Sequence, residues 1–209
     1  MKPIDKQPEP KKFATWKSQH PGANYKDDLC GPDPKARAAK KALKTSLLQE
    51  QKYLCCYCEC RIDANHSHIE HFKPKGIPAY SSLQLNYENL HASCSRQPTG
   101  VPEEHCGHKK GDVFSNDLIS PMASDCASHF GYRLDGSIEG LDDKGKATIR
   151  ILHLDSALLD SQRKTLIDHF LDLDDTQMAS EIASHLNTGH TKLGEFYSMI
   201  EYLRQTHQL

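Results

Sequence analysis

Four cysteines bracket the most chemically loaded stretch of this chain, and their spacing limits what it can fold into. Cys55-Cys56-Tyr57-Cys58 supplies half of a tetrahedral thiolate site, and Cys94 with Cys106, about forty residues further on, can close it. Between these pairs lies Ser67-His68-Ile69-Glu70-His71-Phe72, and Cys106 runs directly into Gly107-His108-Lys109-Lys110-Gly111. The alternative use of eight cysteines is a disulfide scaffold. Against it stand the length and the start Met1-Lys2-Pro3-Ile4-Asp5-Lys6, which lacks an apolar leader. The crowding of Cys55, Cys56, Cys58 and Cys60 is also hard to bridge locally. A structural Zn²⁺ on Cys55, Cys58, Cys94 and Cys106 is therefore expected. Cys56 and Cys60 form a rival ligand pair, and otherwise read as free thiols with Cys30 and Cys126.

A thin core gives metal a reason to be there. Only 37% of the residues are hydrophobic and the mean hydropathy is −0.68, a composition in which a metal staple can supply part of the folding energy. No stretch approaches the ~20 apolar residues of a membrane span, so a cytoplasmic protein with no membrane association is expected. The net charge of −2 is unevenly spread, with 12 Lys and Arg against 6 acids in residues 1–54 and 4 against 9 in residues 155–209. The basic run Lys35, Arg37, Lys40, Lys41 and Lys44 can meet phosphates or simply solvate a helix face. A chain of this overall charge needs a local patch or a partner to capture nucleic acid.

Residues 1–32 are rich in Pro and Lys with isolated Phe13, Trp16 and Tyr25, and read as an extended N-terminal arm. Asp33-Pro34 is an N-cap followed by a proline at the first helical position, and Ala36, Ala39, Leu43 and Leu47 carry helical spacing through Gln51. That helix delivers the chain into Cys55. Short strands and loops are expected over 61–90, and a short helix from Cys106 to Asp112. A turn at Asp135-Gly136 marks a hairpin, beyond which the chain turns helical. Helices are expected around Leu158–Leu171, Met178–Leu186 and Leu193–Leu203. The divisions read as 1–32 arm, 33–120 core with its preceding helix, and 121–209 mainly helical, an α+β organisation overall.

Glu70, His71 and His108 mix a carboxylate with imidazoles, a donor set suited to a catalytic divalent ion such as Mg²⁺ or Mn²⁺. On a strand, adjacent Glu70 and His71 project to opposite sides and can hold different roles. Hydrolysis of a phosphodiester needs a base to activate water and a cation to stabilise developing charge. His71 fits the base, Glu70 with His108 fits the cation site, and Asn89 can orient the base by its side-chain amide. His68, on the same strand face as Glu70, and His105, beside Cys106, are further possible ligands. Lys73, Lys75, Arg96, Lys109 and Lys110 can contact phosphate. Two other readings compete. One is a non-catalytic zinc-ribbon-like module that binds nucleic acid or protein, and the other has Cys56 acting as a nucleophile with histidine, for which no base-and-orienter pattern is present.

Four strings together resemble the HNH endonucleases of the ββα-metal fold: Cys55-Cys56-Tyr57-Cys58; Ile69-Glu70-His71-Phe72-Lys73-Pro74-Lys75; Asn86-Tyr87-Glu88-Asn89-Leu90-His91-Ala92-Ser93-Cys94; and Cys106-Gly107-His108-Lys109-Lys110-Gly111. The resemblance covers residues 50–112. It implies a zinc-stapled ββα-metal core with His71 as first histidine and general base, Glu70 as acidic metal ligand, Asn89 as the middle asparagine and His108 as the second metal-binding histidine. Many members place the metal ligand directly after the last cysteine, where this chain has Gly107, and eleven residues separate Cys94 from Cys106. The narrower likeness is to the HNH subunits of Septu and retron-associated anti-phage systems. It implies a DNA or RNA substrate and an ATPase partner resembling PtuA, docked on the arm or on the C-terminal helices.

Overall fold

The computed structural model describes residues 1–95 and 104–209. Helix α1 (Lys11–Gln19) packs against α2 (Pro34–Glu50). Helix α2 begins where Asp33 accepts hydrogen bonds from the amides of Lys35 and Ala36, both 3.2 Å, with Pro34 in its first turn. Its buried face is Ala36, Ala39, Leu43, Leu47 and Leu48, the helical stripe expected of an amphipathic segment.

The expected extended arm is not extended. Phe13 and Trp16, three residues apart, share one face of α1 and are fully buried against α2, and Tyr25 and Leu29 anchor a π-helical turn, Tyr25–Leu29, whose start is capped by Asn24. Aromatic residues of this size remove so much apolar area from water that they order the polar residues between them.

Strands β1 (Ser67–His71) and β2 (Leu90–Cys94) pair antiparallel, with Glu70 opposite His91 and His71 opposite Leu90. The short helix α3 (Cys106–Lys110) follows and packs on β2. A second hairpin, β3 (Phe130–Tyr132) with β4 (Ile138–Gly140), turns at Asp135-Gly136, where Gly136 takes φ 86°, a value that favours glycine. Four helices complete the chain: α4 (Asp143–Leu152), α5 (Ala157–Leu171), α6 (Asp175–His185) and α7 (Tyr197–Gln205). Asp142, Ser156 and Asp174 cap α4, α5 and α6. The result is a mixed α+β arrangement of helices and small antiparallel sheets, and among the described residues no helix is long and apolar enough to cross a membrane.

One apolar cluster runs through all three expected divisions, joining Phe13 and Trp16 to Leu43, Tyr57 and Leu90 and on to Phe130, Phe170 and Leu203. The turn that carries Cys55 and Cys58 is clamped from two sides. Gln51 donates to the carbonyls of Leu54 and Ala92 and accepts from the Ala92 amide, acting as a side-chain clip on β2. From the other side, Glu59 accepts from the Ser198 amide at 2.8 Å and its hydroxyl at 2.7 Å, and pairs with the Met1 α-ammonium at 3.1 Å. Burial pushes the Glu59 carboxyl up, but the ammonium and the Ser198 bonds outweigh it and hold the group below the ordinary value. The C-terminal helices are thus part of the cysteine region's support.

Candidate functional site

The Sγ atoms of Cys55, Cys58, Cys94 and Cys106 lie within 4.8 Å of one another and all four residues are buried. Cys55 and Cys58 come from the clamped turn, Cys94 from the end of β2 and Cys106 from the start of α3, so the group ties the turn, β2 and α3 together. Four thiols at this separation could hold a metal ion. The Cys94 amide donates to Cys55 Sγ at 3.4 Å, and His105 Nδ1 lies 3.1 Å from Cys106 Sγ, where it can donate once the sulfur is a thiolate. Such outer donors stabilise thiolates. His105, a candidate for the second metal, is placed on the thiol cluster instead. The rival pair Cys56 and Cys60 is not part of that converging group, although both thiols border it, Cys56 beside Cys55 and Cys60 beside Cys58 and Cys94 as well as 3.5 Å from Gln162 Oε1.

Glu70 is buried. Its Oε1 is held by Lys110 Nζ at 2.9 Å and the Tyr57 hydroxyl at 3.3 Å, and its Oε2 faces His68 Nε2 at 3.2 Å. Burial alone would raise the Glu70 carboxyl, but the His68 bond and the Lys110 charge keep it below the ordinary value, ionised at neutral pH. Lys110, expected among the phosphate contacts, does not reach the surface: it is 1% exposed, and its ammonium also donates to His71 O at 3.0 Å. A lysine this buried needs an acid and carbonyl acceptors, and Glu70 with the end of β1 supplies them. His108 is half-buried with its ring 4.3 Å from that of His68. It does not join His68 and Glu70 in a group of converging donors, since the four cysteines are the only such group among the described residues.

His71 has a separate set of partners. Its Nε2 lies 3.1 Å from Gln84 O, and the edge of Tyr25 meets its ring at 4.5 Å. A carbonyl can only accept, so Nε2 carries the hydrogen and Nδ1 keeps the lone pair. Burial and the nearby charge of Lys75 pull the imidazole down to about 4 against the opposing effects of Gln84 and Glu70, leaving it neutral at pH 7. Asn89 does not touch the ring, as its expected role required. Its Oδ1 accepts from Lys73 N at 2.8 Å and its Nδ2 donates to Lys73 O at 3.0 Å and Leu83 O at 3.2 Å, so it fixes the chain on either side of the site. Asn89→Ala should lower stability by about 2–3 kcal/mol, because it strands these backbone groups in a buried place. A urea midpoint equal to wild type would show that water replaces the amide freely.

Lys73 is half-buried over the Tyr80 ring, Lys75 is exposed over Tyr25, and Lys109 is exposed. Arg96 lies outside the described residues. Gln84 had no mark in the sequence, and Tyr25 and Tyr57, noted only as an aromatic of the arm and as part of the cysteine string, were not expected at the site. Gln84 acts through a backbone carbonyl, which any residue has, and the two tyrosines lie in segments remote from Glu70 and His71.

No family model matches the chain. Among curated proteins, the Septu protein PtuB of Bacillus thuringiensis is 36% identical over 122 residues, 55% of this chain and 42% of that protein. An HNH endonuclease of retron Vc95 from Vibrio cholerae is 31% identical over 143 residues, 65% of this chain and 68% of the relative. One of retron Ec83 from Escherichia coli is 33% identical over 99 residues, 45% and 37% respectively. The chain therefore spans about two fifths of the length of the Septu and Ec83 relatives and about two thirds of the Vc95 one. That last coverage decides the matter: the chain belongs to the HNH endonuclease family, and resembles its Septu and retron members.

Proposed function

We propose that this protein is a metal-dependent endonuclease that hydrolyses phosphodiester bonds in DNA or RNA, on a ββα-metal core stapled by Zn²⁺ at the four cysteines. The observation that carries the reading is His71: a buried imidazole, neutral at pH 7, pinned through Nε2 so that Nδ1 is its basic face, and next in sequence to an ionised Glu70. In this reading His71 Nδ1 takes the proton of the attacking water, a task for a neutral imidazole held in one tautomer. Glu70 and an imidazole from the His68–His108 pair would hold Mg²⁺ or Mn²⁺, hard or borderline ions suited to such donors. When bound, the ion neutralises charge on the scissile phosphate and the leaving oxygen. Lys110 keeps Glu70 ionised and ties it to the end of β1, while Asn89 fixes the loop that follows His71. Lys75 and Lys40 both lie over the Tyr25 ring, 5.5 and 5.9 Å from its centre, and set positive charge beside the base for an incoming phosphate.

The Septu and retron names of the relatives support a further step, a cytoplasmic nuclease effector in an anti-phage assembly with an ATPase partner resembling PtuA. The test is incubation of the zinc-loaded protein, alone and with that partner, with supercoiled plasmid and total tRNA in Mg²⁺ or Mn²⁺. Cutting that EDTA stops is the expected result. Binding without cutting in every arm would replace the nuclease by the zinc-ribbon-like module.

The depressed His71 value fixes a pH dependence. A base works only when deprotonated, so the rate falls as pH drops through its pKa. With that value at about 4, kcat/KM should show no acidic limb near the ordinary histidine value of about 6.5. Lys75→Gln removes a charge that disfavours protonation and should shift the limb upwards. A wild-type limb near pH 6.5, with zinc still bound, would contradict this account.

A further inference from the structure

His68, not His108, completes the divalent-cation site with Glu70, we infer, and Gly107 is what leaves room for the ion. The inference rests on the nuclease reading only for the identity of that ion. His68 Nδ1 lies 2.7 Å from Cys94 O, an atom that accepts and never donates, so Nδ1 carries the hydrogen. In the neutral ring Nε2 is then a lone pair, and it faces Glu70 Oε2 at 3.2 Å. Two acceptors that meet in this way need a positive centre between them, and either a proton on Nε2, which makes the ion pair with Glu70, or a cation that takes that proton's place can supply it. Glu70 cannot turn away to relieve the meeting, because Lys110 and Tyr57 hold its other oxygen. An imidazole that gives one N–H to a backbone carbonyl and aims its other nitrogen beside a carboxylate is the usual state of a metal-ligating histidine.

Gly107 supplies the second observation. A Cβ at this position would lie 2.5 Å from Glu70 Oε2 and 2.7 Å from His68 Nε2. The backbone of α3 therefore comes up against the same two donor atoms, and any side chain there would occupy the place in front of them. Its φ is not in the left-handed region, so space and not backbone freedom explains the glycine. His108 lies against the His68 ring, tilted by 43°, where it braces the ligand. The His68 side chain is 27% exposed, which leaves an approach for the water ligands that Mg²⁺ and Mn²⁺ retain.

The experiment is titration of the zinc-loaded full chain with Mn²⁺, followed by calorimetry and by the electron paramagnetic resonance of free Mn²⁺, with zinc content and circular dichroism recorded for each variant. Wild type should bind one Mn²⁺ beyond its zinc. His68→Ala and His68→Gln should each weaken that binding by more than about 100-fold, beyond the roughly 10- to 100-fold that losing an outer-shell partner costs, whereas His108→Ala should stay within that outer-shell range or below it. Gly107→Ala should weaken it like the His68 variants. A large loss in His108→Ala with His68→Ala near wild type would overturn the assignment. Wild type and Glu70→Gln binding Mn²⁺ equally, or neither binding it, would also overturn the assignment, whereas Mn²⁺ held through His68 with no cleavage of plasmid or tRNA would leave the site standing and remove only the nuclease reading.

Discussion

His71→Ala should lower the rate of metal-dependent cleavage by roughly 10²- to 10⁴-fold, the range in which a positioned general base contributes, while zinc content stays at the wild-type value. The prediction separates chemistry from scaffold because His71 shares no contact with the thiol cluster. Its partners are Gln84 O, the Tyr25 ring and, through its own carbonyl, Lys110. The last of these survives the substitution, so Lys110 and Glu70 keep their places. Loss of the ring leaves a small cavity beside Tyr25 and one carbonyl without its donor, an effect of about 1–3 kcal/mol that a thermal melt would register. Cleavage by His71→Ala at a rate near wild type, with the metal sites intact, would remove the base from the mechanism.

Cys58→Ala should have the opposite profile, with zinc and fold lost together. The four thiols join a turn, a strand and a helix whose other ties are the Gln51 clip and the Cys56 amide on β2 and the packing of α3 on β2, and Cys58 Sγ sits 3.3 Å from Cys94 Sγ within the group. Structural zinc contributes roughly 10–16 kcal/mol in small zinc-binding peptides, comparable with the whole stability of a domain, about 5–15 kcal/mol. A three-thiol site therefore leaves too little to hold β2 and α3 against the turn. The measurement is metal content by mass spectrometry alongside circular dichroism of the soluble fraction. Stoichiometric zinc and an unchanged melt in Cys58→Ala would show that the ligand set is wrong.

What the sequence made readable was the part written in local spacing. The Cys-x-x-Cys turn, the Asp33-Pro34 helix start, the Asp135-Gly136 turn and the periodic Leu and Ile of α5 to α7 each depend on residues a few positions apart, and the structure contains each of them, except that the last helix starts at Tyr197 and leaves Leu193 and Phe196 before it. What it concealed depends on distant pairings. Phe13 and Trp16 look isolated in a polar segment because the face they bury against belongs to α2. Lys110 looks like one more surface lysine because its partner Glu70 lies forty positions earlier, across the unpredicted register of β1 on β2. His105 was one of thirteen histidines, and only the fold sets it on a sulfur. Asn89 was found as a residue, but its bonds to Lys73 and Leu83 show that it steadies the chain around the base.

Glu59 has a bearing on what could be borrowed from this chain. It follows the Cys55–Cys58 turn directly, in the left-handed conformation at φ 63°, a backbone state that costs a non-glycine residue about 1–2 kcal/mol. A glycine there would be easier to fold, but it could not reach Ser198. An engineer who lifted residues 50–112 onto a foreign scaffold would carry along a buried carboxylate stripped of the amide and hydroxyl that satisfy it. The transplant would need either the last helix as well or a glycine in place of the glutamate, so the cysteine-bound core is portable only once its Glu59 is either satisfied or removed.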